Sequence, residues 1–232
     1  MTDENERHLR DFYEDKALTY PERDEPALTR CAKAVGLARI EGGMSVLDVA
    51  CKDAVLLEAI QAACLTVNYT GVDISERVIA KNLERGLNGE FVRANILDGL
   101  PMADASFDRV FALEIMEHVP RPERLLTEAR RLLKPDGRLL LSVPNPYYYM
   151  EIVNEVRRRA DSDGHLFSFN RANVGALLHH CGFRIEGSAG TCLLLPRSLR
   201  HPFRDNRFWV VKKIPEMLAC SRVFLCKKAP LA

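Results

Sequence analysis

The sequence predicts an α/β fold built on a doubly wound, mostly parallel sheet. Apolar runs of strand length alternate with amphipathic helical patterns between residues 45 and 144, which is typical of βαβ units. Polar side chains lie where several of these runs end, and ligands of such sheets bind at the carboxyl ends of the strands. Helices and strands continue to the end of the chain without a linker, so we expect a single domain over residues 1–232.

The first predicted elements are two helices, at 4–18 and 25–37, which form an N-terminal helical cap over residues 1–40. Buried strands are then predicted at 45–50, 67–74, 90–96, 107–114 and 138–144. Apolar residues at helical spacing predict connecting helices at 55–63, 76–87 and 122–133. Ser75 is the predicted N-cap of the second connecting helix.

Beyond residue 144 the alternation of strands and helices loosens. An inserted helix is predicted within 145–170, and a further helix over 170–183 ends near Gly182. Two more strands are predicted at 184–195 and 222–228. We expect the insert to lie near the site that binds a substrate.

The composition excludes several classes of protein. The formal net charge is +1, which gives no global reason to expect binding to nucleic acid or to a membrane. No apolar run is long enough to span a bilayer, and the polar N-terminus resembles neither a signal peptide nor a transit peptide. The seven cysteines include no CxxC pair, so we expect free thiols in a cytoplasmic protein rather than a disulfide framework or a structural zinc site.

Four polar residues end consecutive predicted strands: Asp48, Asp73, Asn95 and Glu114. A carboxylate after the second strand suits the two hydroxyls of a ribose, and an amide offers both a donor and an acceptor to an adenine edge. Each of these residues alone is equally consistent with a loop side chain that caps a helix. Their common register favours one ligand that extends across the strand ends.

The segments VLDVACKDAVLLEAI, YTGVDIS, FVRANILDGLPMADASFDRVFALEIMEHV and LLKPDGRLLLSVPNP resemble, in order, the motifs of class I S-adenosylmethionine-dependent methyltransferases. The resemblance covers roughly residues 40–185 and is strongest to the branch of ubiquinone-type O-methyltransferases. It implies a Rossmann-like sheet of seven strands whose last strand is antiparallel. It also implies that adenosylmethionine binds across the first four strand ends, at Asp48, Ala50, Cys51, Lys52, Asp73, Ile74, Asn95, Ile96 and Glu114.

The loop after the first strand departs from the family pattern acid-x-Gly-x-Gly-x-Gly, because Ala50, Lys52 and Ala54 replace the glycines. Alanine adds only a methyl group, so Ala50 and Ala54 can be accommodated if their φ angles are negative. The Lys52 side chain either faces solvent or contacts the carboxylate of the methionine part of the cofactor. A third alternative is that cofactor binding has weakened or been lost.

The lost glycines leave other functions open. A nicotinamide-dependent reductase would need G-x-G-x-x-G at the first turn, which this sequence lacks. A methyltransferase fold kept as a catalytically silent scaffold subunit is the stronger alternative, although it would not need all of the strand-end residues. An RNA-directed methyltransferase is a further alternative.

The predicted reaction is O-methylation of a small molecule, with a sugar or another polar metabolite as the preferred acceptor. Methyl transfer is an in-line displacement, and a hydroxyl acceptor benefits from a general base. The candidate bases are His118, Glu117 and His165. The acceptor pocket is expected to include Tyr13, Tyr20 and GHLFSF, together with the tyrosines at 147–149, which either pack the insert or stack on the substrate.

The segment EIMEH at 114–118 is a candidate divalent-metal site. Glu114, Glu117 and His118 have the spacing that gathers side chains on one helical face, and His165 is a candidate fourth ligand. The pattern resembles the metal-binding sequence of small-RNA 2′-O-methyltransferases and of some quinone O-methyltransferases. The alternatives are a metal-free catalytic His118 or a structural role.

A basic and aromatic segment at 196–213 has three interpretations: a solvated or packing segment, a contact to an anionic small acceptor, or an RNA-binding surface. Its basic and aromatic residues are Arg197, Arg200, Phe203, Arg204, Arg207, Phe208, Trp209, Lys212 and Lys213. The oligomeric state is not predicted from the sequence.

Overall fold

The computed structural model describes residues 3–19, 25–158, 164–196 and 208–230. Its helices are α1 (Asp3–Lys16), α2 (Glu25–Ala38), α3 (Val55–Ala62), α4 (Glu76–Glu84), α5 (Pro122–Leu132), α6 (Tyr149–Val156) and α7 (Arg171–His180). Its strands are β1 (Ser45–Val49), β2 (Asn68–Asp73), β3 (Glu90–Arg93), β4 (Phe107–Leu113), β5 (Leu133–Pro144), β6 (Phe183–Gly190), β7 (Leu193–Pro196), β8 (Phe208–Val211) and β9 (Ser221–Lys228). Short 3-10 turns cover Ala17–Thr19, Ile96–Asp98 and Glu216–Leu218.

The main sheet has seven strands in the order β3-β2-β1-β4-β5-β9-β6. The pairs among β1 to β5 are parallel, and β9 is antiparallel to both of its neighbours, β5 and β6. The strand order reverses between β1 and β4, which is the switch point where ligands bind in doubly wound sheets. The predicted fold class is confirmed, including the antiparallel last strand.

Helices cover both faces of this sheet because successive side chains of a strand point to opposite faces. Val46 packs with α2 and α3 in one apolar cluster, whereas Leu47 packs with α5 and α7 in the other. Both side chains are fully buried. The two layers therefore hold β1 rigidly, and its carboxyl end fixes the position of Asp48.

Three predicted strands have different boundaries in the structure. The fifth begins at Leu133 rather than at residue 138. The third strand ends at Arg93, so Asn95 and Ile96 lie beyond it, in the turn that leads into the 3-10 helix. The predicted strand 184–195 divides into β6 in the main sheet and β7, which pairs antiparallel with β8 in a separate two-stranded sheet. Its apolar residues are continuous in sequence, and only the pairing with distant strands separates them.

Within the part of the chain that the structure describes, no helix combines the length and the apolar character needed to cross a bilayer.

Candidate active site

A cavity of about 320 Å³ lies at the carboxyl ends of β1, β2 and β4, beside the turn that follows β3. All four strand-end residues line it: Asp48, Asp73, Asn95 and Glu114. The N-terminal helices close part of it, with Tyr13 from α1 and Arg30 from α2 in the lining. His118 and His165 lie at the same cavity, so the predicted cofactor residues and two of the predicted bases share one site.

Three residues of the loop after β1 have positive φ angles, which are usual for glycine, although none of them is glycine. The φ angles of Ala50, Lys52 and Ala54 are 58°, 47° and 56°, so the condition of negative φ is not met at either alanine. Left-handed backbone costs an L-residue about 1–2 kcal/mol. A backbone hydrogen bond helps to stabilise this conformation of the loop: the amide of Cys51 donates to the Val72 carbonyl at 3.0 Å.

Gly71 on β2 compensates for the side chains of this loop. A Cβ at Gly71 would lie 3.0 Å from the Cys51 sulfur and 3.0 Å from the Phe91 ring. Glycine is therefore needed at position 71 of β2, because the Cys51 side chain of the loop packs against the backbone there. The sequence analysis missed this role, although a glycine inside a strand is a signal of close approach.

Asp73 is held by backbone amides. The amide of Lys52 donates to one carboxylate oxygen at 3.1 Å, and the amide of Ser75 donates to the other at 2.9 Å. Burial nevertheless raises the pKa of Asp73 to about 6. Lys52 therefore contributes to the site through its backbone, whichever way its side chain points.

Asp48 is buried and accepts a hydrogen bond of 2.7 Å from the Tyr69 hydroxyl. Burial raises the pKa of Asp48 to about 7, and the nearby charge of Asp73 acts in the same direction. A cationic ligand would stabilise both carboxylates, because it favours their ionised forms.

Asn95 has two roles in the structure. Its side-chain oxygen accepts from the amide of Leu97 at 3.1 Å and caps the short helix at Ile96–Asp98. The residue also lines the cavity together with Ile96. Helix capping and proximity to a ligand are therefore compatible here.

The segment 114–118 is not helical. It forms a bend and a turn, closed by the amide of His118 on the Ile115 carbonyl at 3.0 Å, so the expected helical face was wrong. Glu114 itself has a φ of 51°. Its carboxylate pairs with Arg30 at 2.6 Å and accepts a hydrogen bond from the Ser221 hydroxyl.

Glu117, His118 and His165 lie together, and their potential ligand atoms are all within 4.8 Å of one another. The Glu117 side chain is 1% exposed, and neither of its oxygens has a hydrogen-bond partner among the described residues. Burial raises the pKa of Glu117, and the charge of Glu114 adds to the effect. Glu114 is excluded from this cluster by its own bonds to Arg30 and Ser221.

His118 is oriented by the loop that contains His165. Its Nδ1 lies 3.3 Å from the Gly164 carbonyl, so the tautomer protonated at Nδ1 leaves Nε2 as an acceptor. The loop is in turn fixed by the amides of Leu166 and Phe167, which donate to the Glu117 carbonyl at 2.8 and 3.2 Å. Burial lowers the pKa of His118, and the neighbouring His165 lowers it further. A neutral imidazole is the form that accepts a proton.

Helix α1 is fastened over the site by Glu14. Its carboxylate accepts from the Ser75 hydroxyl at 2.9 Å and from the Glu76 amide at 2.6 Å, at the start of α4. These bonds place the Tyr13 ring edge-on to His118, with ring centroids 6.0 Å apart. Tyr20, which was also expected in the acceptor pocket, lies outside the described residues.

The tyrosine triplet is divided between packing and exposure. The hydroxyls of Tyr148 and Tyr149 donate to the Leu194 carbonyl at 3.0 and 2.6 Å, which joins α6 to β7. Tyr147 is exposed. In the basic segment, residues 197–207 lie outside the described residues, and Trp209 is exposed on β8.

A family model described as a methyltransferase domain matches residues 20–187, which is most of the chain. The chain belongs to the methyltransferase domain family. Together with its curated relatives, this match confirms the resemblance to class I S-adenosylmethionine-dependent methyltransferases of the ubiquinone-type branch.

Two curated relatives are O-methyltransferases or methyltransferases by name. A ubiquinone biosynthesis O-methyltransferase of Dechloromonas aromatica is 36% identical over 127 residues, which is 52% of each chain. The 27-O-demethylrifamycin SV methyltransferase of Amycolatopsis mediterranei is 32% identical over 147 residues, which is 58% of this chain and 52% of the relative. The chain thus spans about half the length of these curated relatives.

Solved structures show the same fold at low sequence identity. A Haloferax volcanii methyltransferase, solved in complex with the Trm112 methyltransferase activator, has a TM-score of 0.75 at 16% identity and covers 96% of this chain and 97% of its own. A SAM-dependent methyltransferase of Aquifex aeolicus has a TM-score of 0.59 at 17% identity, covering 88% and 93%. These likenesses concern the fold alone.

The chemistry of the residues that line the cavity is compatible with adenosylmethionine. The cavity carries two carboxylates, the buried Asp48 and the half-buried Asp73. Desolvation raises the pKa of both, and a cationic ligand would stabilise their ionised forms. The loop after β1 has positive φ at the three positions where the family pattern has glycine. Arg30, Ser221 and Glu14 also shape the site, but they are distant in sequence from the residues they contact, so no local pattern indicated them.

Proposed function

We propose that this chain is an S-adenosylmethionine-dependent methyltransferase that methylates a hydroxyl group of a small polar molecule, with a sugar as the preferred class. The observation that carries the proposal is the shared cavity, in which the carboxylate-bearing strand ends meet His118 and His165. The names of the ubiquinone and rifamycin O-methyltransferase relatives support oxygen as the accepting atom.

The bound cofactor would supply an electrophilic methyl group on a sulfonium. Asp73 would accept the ribose hydroxyls, since backbone amides already fix its carboxylate. Asn95 would face the adenine, and Asp48 would balance the positive charge of the methionine part. The Lys52 amide keeps Asp73 in place without requiring a glycine.

His118 would act as the general base on the acceptor hydroxyl. Its Nδ1 faces the Gly164 carbonyl, which leaves Nε2 to take the proton. The lowered pKa of His118 keeps the imidazole neutral near pH 7. Tyr13 and His165 would orient the acceptor and exclude water, because both lie at the cavity beside His118.

Binding of the cofactor is the first test. Thermal-shift measurements with adenosylmethionine and adenosylhomocysteine should both raise the melting temperature, because a ligand of the native state stabilises it. The absence of a shift with either compound at millimolar concentration would favour the alternative of a silent scaffold. Mass spectrometry of the protein as purified should also be made, to look for retained adenosylhomocysteine.

A divalent-metal site at Glu117, His118 and His165 is a second candidate. The proximity of the ligand atoms, within 4.8 Å, and the buried carboxylate of Glu117 without a hydrogen-bond partner among the described residues both favour it. A carboxylate and two imidazoles suit manganese, zinc or magnesium, and a metal would lower the pKa of an acceptor hydroxyl. Glu114 is not proposed as a ligand, because Arg30 and Ser221 engage it.

Treatment with a chelator distinguishes a metal-dependent reaction from one in which His118 acts as a metal-free base. Metal analysis of the purified protein should be combined with turnover before and after treatment with a chelator. Loss of turnover that is restored by one divalent ion supports the metal. Unchanged turnover supports His118 as a metal-free base.

The partners of the chain follow from the same site. We propose a small-molecule acceptor as the principal partner; an activator subunit, as in the Haloferax volcanii complex, is an alternative that copurification tests. Cytoplasmic localisation is proposed because all seven cysteines are free thiols.

A single domain over residues 1–232 is likewise a proposal, which limited proteolysis tests.

A further inference from the structure

Cys192 and Cys220 face each other across two antiparallel segments beside β6 and β9. Gly190 of β6 is paired with Arg222 of β9. The antiparallel pairing extends one residue further, because the Thr191 amide donates to the Ser221 carbonyl at 3.1 Å. The amide of Cys220 then donates to the Cys192 carbonyl at 2.7 Å. Directly opposed residues of antiparallel strands have Cα atoms roughly 4.5–5.5 Å apart, within the range of a disulfide.

The two sulfur atoms are 3.4 Å apart, and both thiols are free. We propose that Cys192 and Cys220 form a dithiol that a peroxide closes to a disulfide. The sulfur atoms need only approach from 3.4 Å to about 2.05 Å. None of the other features of the site requires these thiols, so the pair is available for a separate role.

Cys220 is the thiol that reacts first. It is half-buried, whereas Cys192 is fully buried. The pKa of Cys220 is lowered, chiefly because the Cys192 thiol donates a hydrogen bond to its sulfur, and a thiolate is the nucleophilic form. The Thr191 hydroxyl is also within 3.3 Å of the Cys220 sulfur.

The oxidation balances as two steps. The Cys220 thiolate attacks one oxygen of hydrogen peroxide, the O–O bond breaks, and a sulfenic acid and hydroxide form. The Cys192 sulfur then attacks the Cys220 sulfur, the S–O bond breaks, and the oxygen leaves as water. Overall, two thiols and one peroxide give one disulfide and two waters, so the protein loses two electrons to the peroxide.

The disulfide would act on the cavity through Ser221. This residue follows Cys220, and its hydroxyl donates to Glu114, which lines the cavity and pairs with Arg30. Disulfide formation moves the Cys220 sulfur, which lies 4.0 Å from the Ser221 hydroxyl, and the altered contact weakens the bond from Ser221 to Glu114. This step rests on the proposed function, because Glu114 is taken to border the cofactor.

Peptide mapping tests the disulfide itself. A Cys64→Ser variant serves as the parent, because Cys64 is exposed and would otherwise form intermolecular disulfides. After treatment with hydrogen peroxide, non-reduced digestion and mass spectrometry should find the peptides of Cys192 and Cys220 linked. Additional Cys192→Ser or Cys220→Ser substitutions should each abolish the link. Peroxide doses that oxidise Cys64 in the unmodified protein but leave Cys192 and Cys220 unlinked would overturn the proposal.

Calorimetry with adenosylhomocysteine tests the effect on the cavity. Oxidation should weaken binding to the Cys64→Ser parent about two- to tenfold, the range for one lost hydrogen bond, and dithiothreitol should restore it. The parent with Cys192→Ser added should bind equally well before and after peroxide. Equal affinity of the linked and reduced parent would overturn the coupling to Glu114. If the reduced parent does not bind at all, the proposed function fails, whereas peptide mapping still decides the disulfide.

Discussion

Two carboxylates at the same edge of the sheet, the half-buried Asp73 and the buried Glu117, differ in their hydrogen-bond partners. Asp73 receives a backbone amide on each oxygen, from Lys52 and Ser75. Glu117 is 1% exposed, and neither of its oxygens has a hydrogen-bond partner among the residues that the structure describes. The carboxylate proposed for the ribose is therefore held in place by backbone amides, whereas no described residue donates a hydrogen bond to the Glu117 carboxylate near the proposed acceptor site.

The largest effect is expected at His118. A His118→Ala variant should lower turnover by about 10²–10⁴-fold, the usual contribution of a general base, while cofactor affinity measured by calorimetry stays unchanged. His179→Ala is the matched control, because His179 is exposed at the end of α7. A folded His118→Ala variant that keeps full turnover would remove the catalytic role and leave a structural one.

The next effect is expected at Asp73. An Asp73→Ala variant should bind adenosylmethionine more weakly by about 1.5–3 kcal/mol, the value for a hydrogen bond to a charged group. Asp53→Asn is the control in the same loop, because Asp53 pairs with Lys81 at 2.7 Å and does not line the cavity. Unchanged affinity of a folded Asp73→Ala variant, measured by calorimetry, would contradict the assignment.

A third effect is expected in the pH dependence of stability at Glu117. The pKa of Glu117 is raised in the folded state, so its contribution to stability is present below the unfolded pKa and is lost as pH rises through the folded value. In the presence of a chelator, Glu117→Gln should therefore be more stable than the wild type at pH 8, by about 1–3 kcal/mol, the cost of an unsatisfied buried group.

At pH 4 the two proteins should unfold at similar denaturant concentrations, because Glu117 is then protonated. Glu114→Gln is the contrasting variant, since it removes the ionised partner of Arg30 and should destabilise the protein at pH 8. If Glu117→Gln is destabilising at pH 8 as well, then Glu117 has a partner in the folded protein that needs its charge.

The smallest effect is expected in the loop after β1. Ala50→Gly should raise the free energy of unfolding by about 0.5–1 kcal/mol, because glycine adopts positive φ without the penalty of a Cβ. Ala105→Gly should stabilise the protein similarly at an exposed turn with a φ of 53°, away from the cavity. Denaturant unfolding measures both variants, and a destabilised Ala50→Gly would show that the Ala50 methyl contributes packing worth more than the strain.

The strand ends could be predicted from the sequence because each strand is a local apolar run. Asp48, Asp73 and Glu114 consequently lie at the cavity as expected. The backbone of the loop could not be predicted, since alanine rarely adopts positive φ and neighbouring strands impose it here. The prediction of a helical face at 114–118 was wrong, because a turn can also bring residues at this spacing close together.

Contacts between residues that are distant in sequence could not be predicted either. Ser221 and Glu114 are 107 residues apart in sequence, and neither residue indicates the other. The division of the predicted strand 184–195 into β6 and β7 likewise depends on the pairing partners, β9 and β8. Apolar pattern predicts which segments form strands, but it does not predict which strands they pair with.

The attachment of α1 by Glu14 has a kinetic consequence. Ser75 binds Glu14 through its hydroxyl and Asp73 through its amide, so a single residue links the N-terminal helix to the carboxylate proposed for the ribose. Any ligand that leaves past α1 must first break the bonds of Glu14 to Ser75 and Glu76. We therefore expect a Glu14→Ala variant to release a ligand that leaves past α1 faster than the wild type does.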